Sequence, residues 1–148
     1  LPIRACTDIA APAIPLFHAF GRIGCFLGGC CYGIECEAGF IYTKALVESA
    51  NGVRRFPVQL LEAAFNLLLF LLLWLMLRKG KHGLLRWYLL AYGIGRFFLE
   101  FLRGDAYRGQ LFGLSTSQVI SLLILCGLGL SVVVVRLKAE KPTQQDNQ

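Results

Sequence analysis

Charge is what this sequence has least of. Only 16% of its 148 residues are Asp, Glu, Lys or Arg, against about 25% in soluble domains, which excludes an ordinary water-soluble globule. Acidic residues are the scarcer kind, 9 against 15 Lys and Arg, for a net charge of +6. A basic surplus can serve nucleic acid, but its distribution excludes that partner. Arg78, Lys79 and Lys81 crowd the short stretch RKGKHG, and Arg136, Lys138 and Lys141 follow the last apolar run. No basic start followed by a cleavable apolar stretch is present, so no signal peptide is read. The chain opens on Leu1 rather than Met, which predicts a fragment. No internal repeat is visible.

Long apolar runs are what the sequence has instead. Residues 60–77 read LLEAAFNLLLFLLLWLML, with only Glu62 and Asn66 polar. A bilayer core takes roughly 20 apolar helical residues. Residues 115–135 form a clean second run, and residues 84–102 a third that carries Arg86, Arg96 and Glu100. Residues 9–33 form a weaker run, interrupted by Pro12, Pro15 and many glycines. The expected fold is an all-α membrane protein of about four transmembrane helices, the first broken and glycine-rich. Residues 1–137 form one integral membrane domain, and the polar residues 138–148 a disordered cytoplasmic tail. The two basic clusters then share the cytoplasmic side by the positive-inside rule. Both chain ends are expected there, with residues 34–58 and 103–114 facing outward. Arg54, Arg55, Arg103 and Arg108 sit in those outer loops against the rule, as a ligand for arginine would require.

Charge inside apolar sequence is costly and marks either a partner or a task. Tyr92, Arg96, Glu100 and Arg103 are spaced i, i+4, i+8, i+11, so one polar stripe runs along a single helix. Arg96 and Glu100 can pair at i, i+4. The stripe is either glue between helices or the lining of a site for an anion. Arg22 lies in the glycine-rich GRIGCFLGGCCYG, where Gly24 and Gly28 make a small-xxx-small packing pattern. A broken segment at membrane depth must border protein or a water-filled cavity, into which Arg22 would point. Two guanidiniums, Arg22 and Arg96, can hold one phosphate by bidentate hydrogen bonds. In a membrane that phosphate belongs to a phospholipid. In RRFPVQLLEAAF, Pro57 suits a helix start, and Gln59 and Glu62 either cap that helix or take part in the site.

Three stretches, in order, carry a resemblance to the prolipoprotein diacylglyceryl transferase family. They are DIAAPAIPLFHAFGRIGCFLGGCC, RFPVQLLE and YGIGRFFLEFLR, within residues 8–135. The resemblance implies transfer of a diacylglyceryl group from phosphatidylglycerol to the lipobox cysteine of a bacterial prolipoprotein, in the inner membrane. The implied partners are phosphatidylglycerol, the prolipoprotein signal peptide and membrane lipid; no cofactor and no metal are implied. By motif position Arg22 and Arg96 resemble the phosphate-binding arginines, with Tyr92 and Glu100 as pocket partners. Arg103, Arg55, Gln59 and Glu62 resemble supporting or headgroup-facing residues. The chain departs from the family pattern in three ways. Cys25 and Gly28 stand where the family has asparagines, Cys30 stands where it has glutamate, and its His-Gly-Gly motif is absent, since neither His18 nor His82 matches. The alternative function is a non-catalytic or transporter-like binder of phospholipid headgroups.

Cys25, Cys30, Cys31 and Cys36 form a second constellation. It is read in four ways: small packing side chains, a disulfide on an oxidising outer face, a thiol activated by Arg22 for group transfer, or a four-cysteine metal site. Cys6 and Cys126 are expected to pack between helices.

Overall fold

A computed structural model describes residues 3–104, 110–111 and 114–139. Its frame is helical: α1 (Ile3–Ala10), α2 (Ala13–Gly28), α3 (Val58–Arg78), α4 (Leu84–Leu99) and α5 (Thr116–Ala139). The α1–α2 stretch, α3 and most of α5 are long and apolar enough to cross a membrane, so the protein is an all-α membrane protein. Helix α4 is shorter and ends in a 3-10 turn, Glu100–Leu102. Two small antiparallel ribbons decorate the frame: β1 (Glu35–Ile41) with β2 (Arg54–Arg55), and β3 (Gln110–Leu111) with β4 (Leu114–Ser115).

The break in the first apolar run falls at Ala11 and Pro12, not among the glycines. Pro12 is the N-cap of α2 and Pro15 lies in its first turn, where a missing N–H costs little. The glycine-rich stretch is continuous helix to Gly28 and stops at Gly29, whose φ of 67° ends the helix in the left-handed conformation. The small-xxx-small pattern does not bring another described helix close. A side chain at Gly21 or Gly24 would meet nothing, and one at Gly28 would meet Leu46 of the following loop. The close helix approach is elsewhere, where Gly95 of α4 lies against the ring of Phe65 on α3.

Helix α3 is built inside out. Its buried residues include Gln59, Glu62, Asn66, Leu69 and Leu73, a 3-4-3-4 spacing that forms one stripe. Leu60, Leu61, Leu67, Leu68, Leu71 and Leu72 are exposed. Lipid accepts the leucines, while the polar groups need protein partners. One core joins Ala11, Leu69, Leu73, Leu84 and Tyr88. A second, outside the helix frame, joins Tyr32, Tyr42 and Ala50. Asp8 of α1 completes the amino end of α4, accepting from the backbone N–H of Leu84 at 2.9 Å and of Gly83 at 3.3 Å. Cys6 and Cys126 are exposed, so neither packs between helices of this chain as expected; both lie on apolar helices whose outer faces suit lipid. Helix α5 extends to Ala139, two residues into the segment read as tail. Residues 140–148 and Arg108 lie outside the described residues.

Candidate active site

The centre of the site is one carboxylate. Glu62 is 2% exposed and sits on the buried stripe of α3, one turn after Gln59. Its Oε2 is 2.6 Å from Arg22 Nε, and its Oε1 accepts from Arg96 at 2.6 Å and from Arg103 at 3.3 Å. The Arg22 contact is close but off-line for a hydrogen bond, so it is an ion pair by proximity. Three helices thus meet at Glu62: α2 brings Arg22, α3 the carboxylate, and α4 with its terminal turn Arg96 and Arg103. Glu62 lies beyond the first turn of α3, which contains no acidic residue; the capping alternative is therefore set aside for it.

Arg96 is 7% exposed and fully engaged. Besides Glu62 it faces Glu100 at 2.8 Å, the i, i+4 pair expected from the sequence, and donates to Ser117 of α5 at 3.1 Å. Glu100 also faces Arg103 at 3.9 Å. Among the described residues three guanidiniums meet two carboxylates in this cluster. Arg22 is the open member, with its side chain 22% exposed against 8% or less for the other four. Among the described residues its terminal nitrogens have no further partner, so Arg22 presents an open guanidinium edge.

Backbone pairing sets the position of Arg103. Ile34 N–H donates to Leu102 O at 3.0 Å, Gly104 N–H to Tyr32 O at 3.1 Å, and Phe56 N–H to Ile34 O at 2.8 Å. The chain leaving α2 is thereby stitched to the end of α4 and the entry to α3. Gln59 adds a side-chain stitch, donating to Cys30 O at 2.8 Å and Tyr42 Oη at 3.3 Å. Arg55 stands apart from the cluster: it donates to Ser49 O, lies 3.8 Å from Glu35 and stacks over Tyr32 at 4.2 Å. Tyr92 lies one turn from Arg96, stacked against Tyr88 and near His18, each at 5.4 Å between ring centres. The bond from Tyr88 Oη to His18 Nδ1, 3.0 Å, closes this aromatic floor.

The family model for prolipoprotein diacylglyceryl transferase matches residues 1–135. The chain belongs to this family. It is 43% identical over 140 residues to the phosphatidylglycerol–prolipoprotein diacylglyceryl transferase 2 of Clostridium perfringens, covering 92% of this chain and 54% of that protein. The transferase of Clostridium tetani is 42% identical over 122 residues, covering 80% and 48%. That of Streptococcus pneumoniae is 34% identical over 154 residues, covering 95% and 56%. The chain spans about half the length of the curated relatives it matches.

The cysteine constellation resolves to three members. The Sγ atoms of Cys25, Cys30 and Cys31 lie within 4.8 Å of one another, and Cys36 is not among them. No disulfide joins any of the six cysteines. Burial and the neighbouring thiols of Cys25 and Cys31 push the Cys30 thiol up to about 11. Cys30 is therefore protonated at neutral pH, against its reading as an activated nucleophile. In a continuous helix the adjacent side chains of Cys30 and Cys31 would diverge. The helix stops at Gly28.

Proposed function

We propose that the protein of which this chain is part transfers a diacylglyceryl group from phosphatidylglycerol to the lipobox cysteine of prolipoproteins. The carrying observation is the buried cluster of Arg22, Arg96, Arg103, Glu62 and Glu100, with Arg22 as its most exposed member. An intramembrane ion cluster is expensive and is a functional site by default. The names of the relatives supply the substrates.

In this reading Arg22 takes the lipid phosphate through its terminal nitrogens. The acceptor thiol attacks the glycerol carbon, a carbon–sulfur bond forms, and the carbon–oxygen bond to phosphate breaks. Glycerol phosphate leaves with the bonding pair and takes up the thiol's proton. Charge grows on the phosphate as that bond breaks, so a fixed cation stabilises the transition state more than the ground state. Arg96 and Arg103 act behind Arg22: they hold Glu62, and Glu62 orients Arg22. Glu100 neutralises part of their charge. Tyr92 forms the wall beneath Arg96. Gln59 and Arg55 position the outer ribbon around the phosphate entrance.

The basic residues flanking α3, α4 and α5 support a topology with both chain ends in the cytoplasm and the cluster toward the outer side. The test is mass spectrometry of lipoproteins from cells in which the intact gene is deleted and restored, as wild type or as Arg22→Lys. Diacylglyceryl adducts return with wild type and not with the variant. Normal adducts in the deletion strain overturn the proposal, and headgroup binding without transfer by the intact protein favours the transporter-like alternative.

A further inference from the structure

We propose that Cys25, Cys30 and Cys31 form a three-coordinate site for a soft metal ion, Cu(I), at the outer end of α2. The inference stands independently of the transferase reading. Metal–sulfur bonds of about 2.3 Å place three ligands ~4 Å apart in a trigonal plane. The three sulfurs here lie within 4.8 Å of one another, a spread that small side-chain rotations close. Three thiolates with no nitrogen or oxygen ligand select soft ions. Among the described residues no fourth His, Cys, Asp or Glu completes the group, whereas structural zinc sites take four ligands.

The backbone is shaped to converge these side chains. Gly29 ends the helix at φ 67°, and Cys31 follows at φ 55°, the one non-glycine residue at positive φ among the described residues. A side-chain-bearing residue held there is kept by its surroundings, and such positions cluster at ligand sites. Cys30 is anchored twice: its N–H donates to Cys25 O at 3.1 Å, and its thiol lies 3.7 Å from the same carbonyl. Gln59 fixes the Cys30 carbonyl from α3. All three residues are half-buried, open to an arriving ion yet shielded from bulk water. Binding releases the three thiol protons to solvent, and the metal–sulfur bonds offset the cost of bringing the thiolates together. A disulfide would use only two of the three.

The experiment uses the detergent-purified protein, reduced, stripped with chelator and titrated anaerobically with Cu(I) against a competing chromophoric chelator. The expected result is one copper per chain with thiolate-to-copper absorption in the near ultraviolet. Cys25→Ser, Cys30→Ser and Cys31→Ser should each weaken binding by more than the ~10- to 100-fold that losing a supporting residue costs at a metal site. Cys6→Ser, Cys36→Ser and Cys126→Ser should leave it intact. Circular dichroism checks that each variant keeps its helices, and Cys→Ala versions replace any that do not. Failure to retain copper, retention in the Cys30 and Cys31 variants, or a mass loss of two hydrogens from these cysteines in place of metal binding would overturn the site. So would zinc held more tightly than copper.

Discussion

Replacing Glu62 with Gln tests the whole cluster. The side chain keeps its shape but loses the charge that three arginines share. The cluster then gains one net positive charge, Arg22 loses its carboxylate, and Glu100 is left as the described carboxylate facing Arg96 and Arg103. At an effective dielectric of about 20, unit charges ~4 Å apart interact by ~4 kcal/mol, and removing one partner of a buried pair costs ~3–5 kcal/mol. A loss at the upper end is expected, because the introduced amide would also turn N–H donors toward guanidiniums. Glu100→Gln should cost less, since Glu100 has one close arginine contact at 2.8 Å and one at 3.9 Å. The assay is thermal unfolding of the detergent-solubilised protein, with membrane abundance measured alongside. The expected order of stability is wild type, then Glu100→Gln, then Glu62→Gln. A Glu62→Gln protein as abundant and heat-resistant as wild type would refute the shared-carboxylate account, and a reversed order would move the centre of the cluster to Glu100.

Arg22→Lys in the intact protein keeps the charge but loses the planar fork; turnover per molecule should fall roughly 30- to 1000-fold with little change in abundance, and normal turnover would remove the phosphate contact. Asp8→Ala should destabilise the protein by about 1–2 kcal/mol, as loss of a helix cap does, read as a lower unfolding temperature; no shift would show the α4 terminus to be satisfied otherwise. With its thiol pushed up to about 11, Cys30 should alkylate slowly at pH 7–8 in the presence of chelator, with a rate that climbs steadily as pH is raised; rapid labelling at neutral pH would contradict the protonated thiol. For topology, an impermeant maleimide should reach Lys44→Cys in sealed cells and Lys81→Cys only after lysis, both being exposed positions; the opposite pattern would invert the chain.

Apolar length made the helices legible. The run read as residues 60–77 is α3, Val58–Arg78, and the run at 115–135 lies within α5 but for its first residue, because neither contains a residue that stops a helix. The Arg96–Glu100 pair was equally legible, since i, i+4 spacing depends on local geometry alone. Glu62 as the hub was not. Its position soon after Pro57 left a cap and a role in the site both open, and only the packing of α2 and α4 against α3 shows which way it faces. One signal was available: in an apolar helix, Gln59, Glu62 and Asn66 fall on a single stripe, and polar residues sharing a stripe in a membrane helix face protein. The ribbon of β1 and β2 was hidden because its pairing is irregular, with a register shift between Glu35 and Phe40. The three-thiol cluster was hidden because a left-handed residue other than glycine has no signature in composition.

The carboxylate of Asp8 at the start of α4 has a consequence for assembly order. It meets a backbone amide 76 residues further along the chain. Helix α1 is synthesised before α4, so it exists while the amide it serves is still untranslated. Until then Asp8 lacks its α4 partner, so α1 is expected to linger near the interface. When Gly83 and Leu84 emerge, a ready-made acceptor docks them, and the long loop entropy of that closure is met by an already positioned partner. The contact also makes the polypeptide between α2 and α3 dispensable for holding the two ends together. A chain cut within the loop of residues 43–47 should therefore remain associated as two fragments, held at one end by Asp8 and at the other by Glu62.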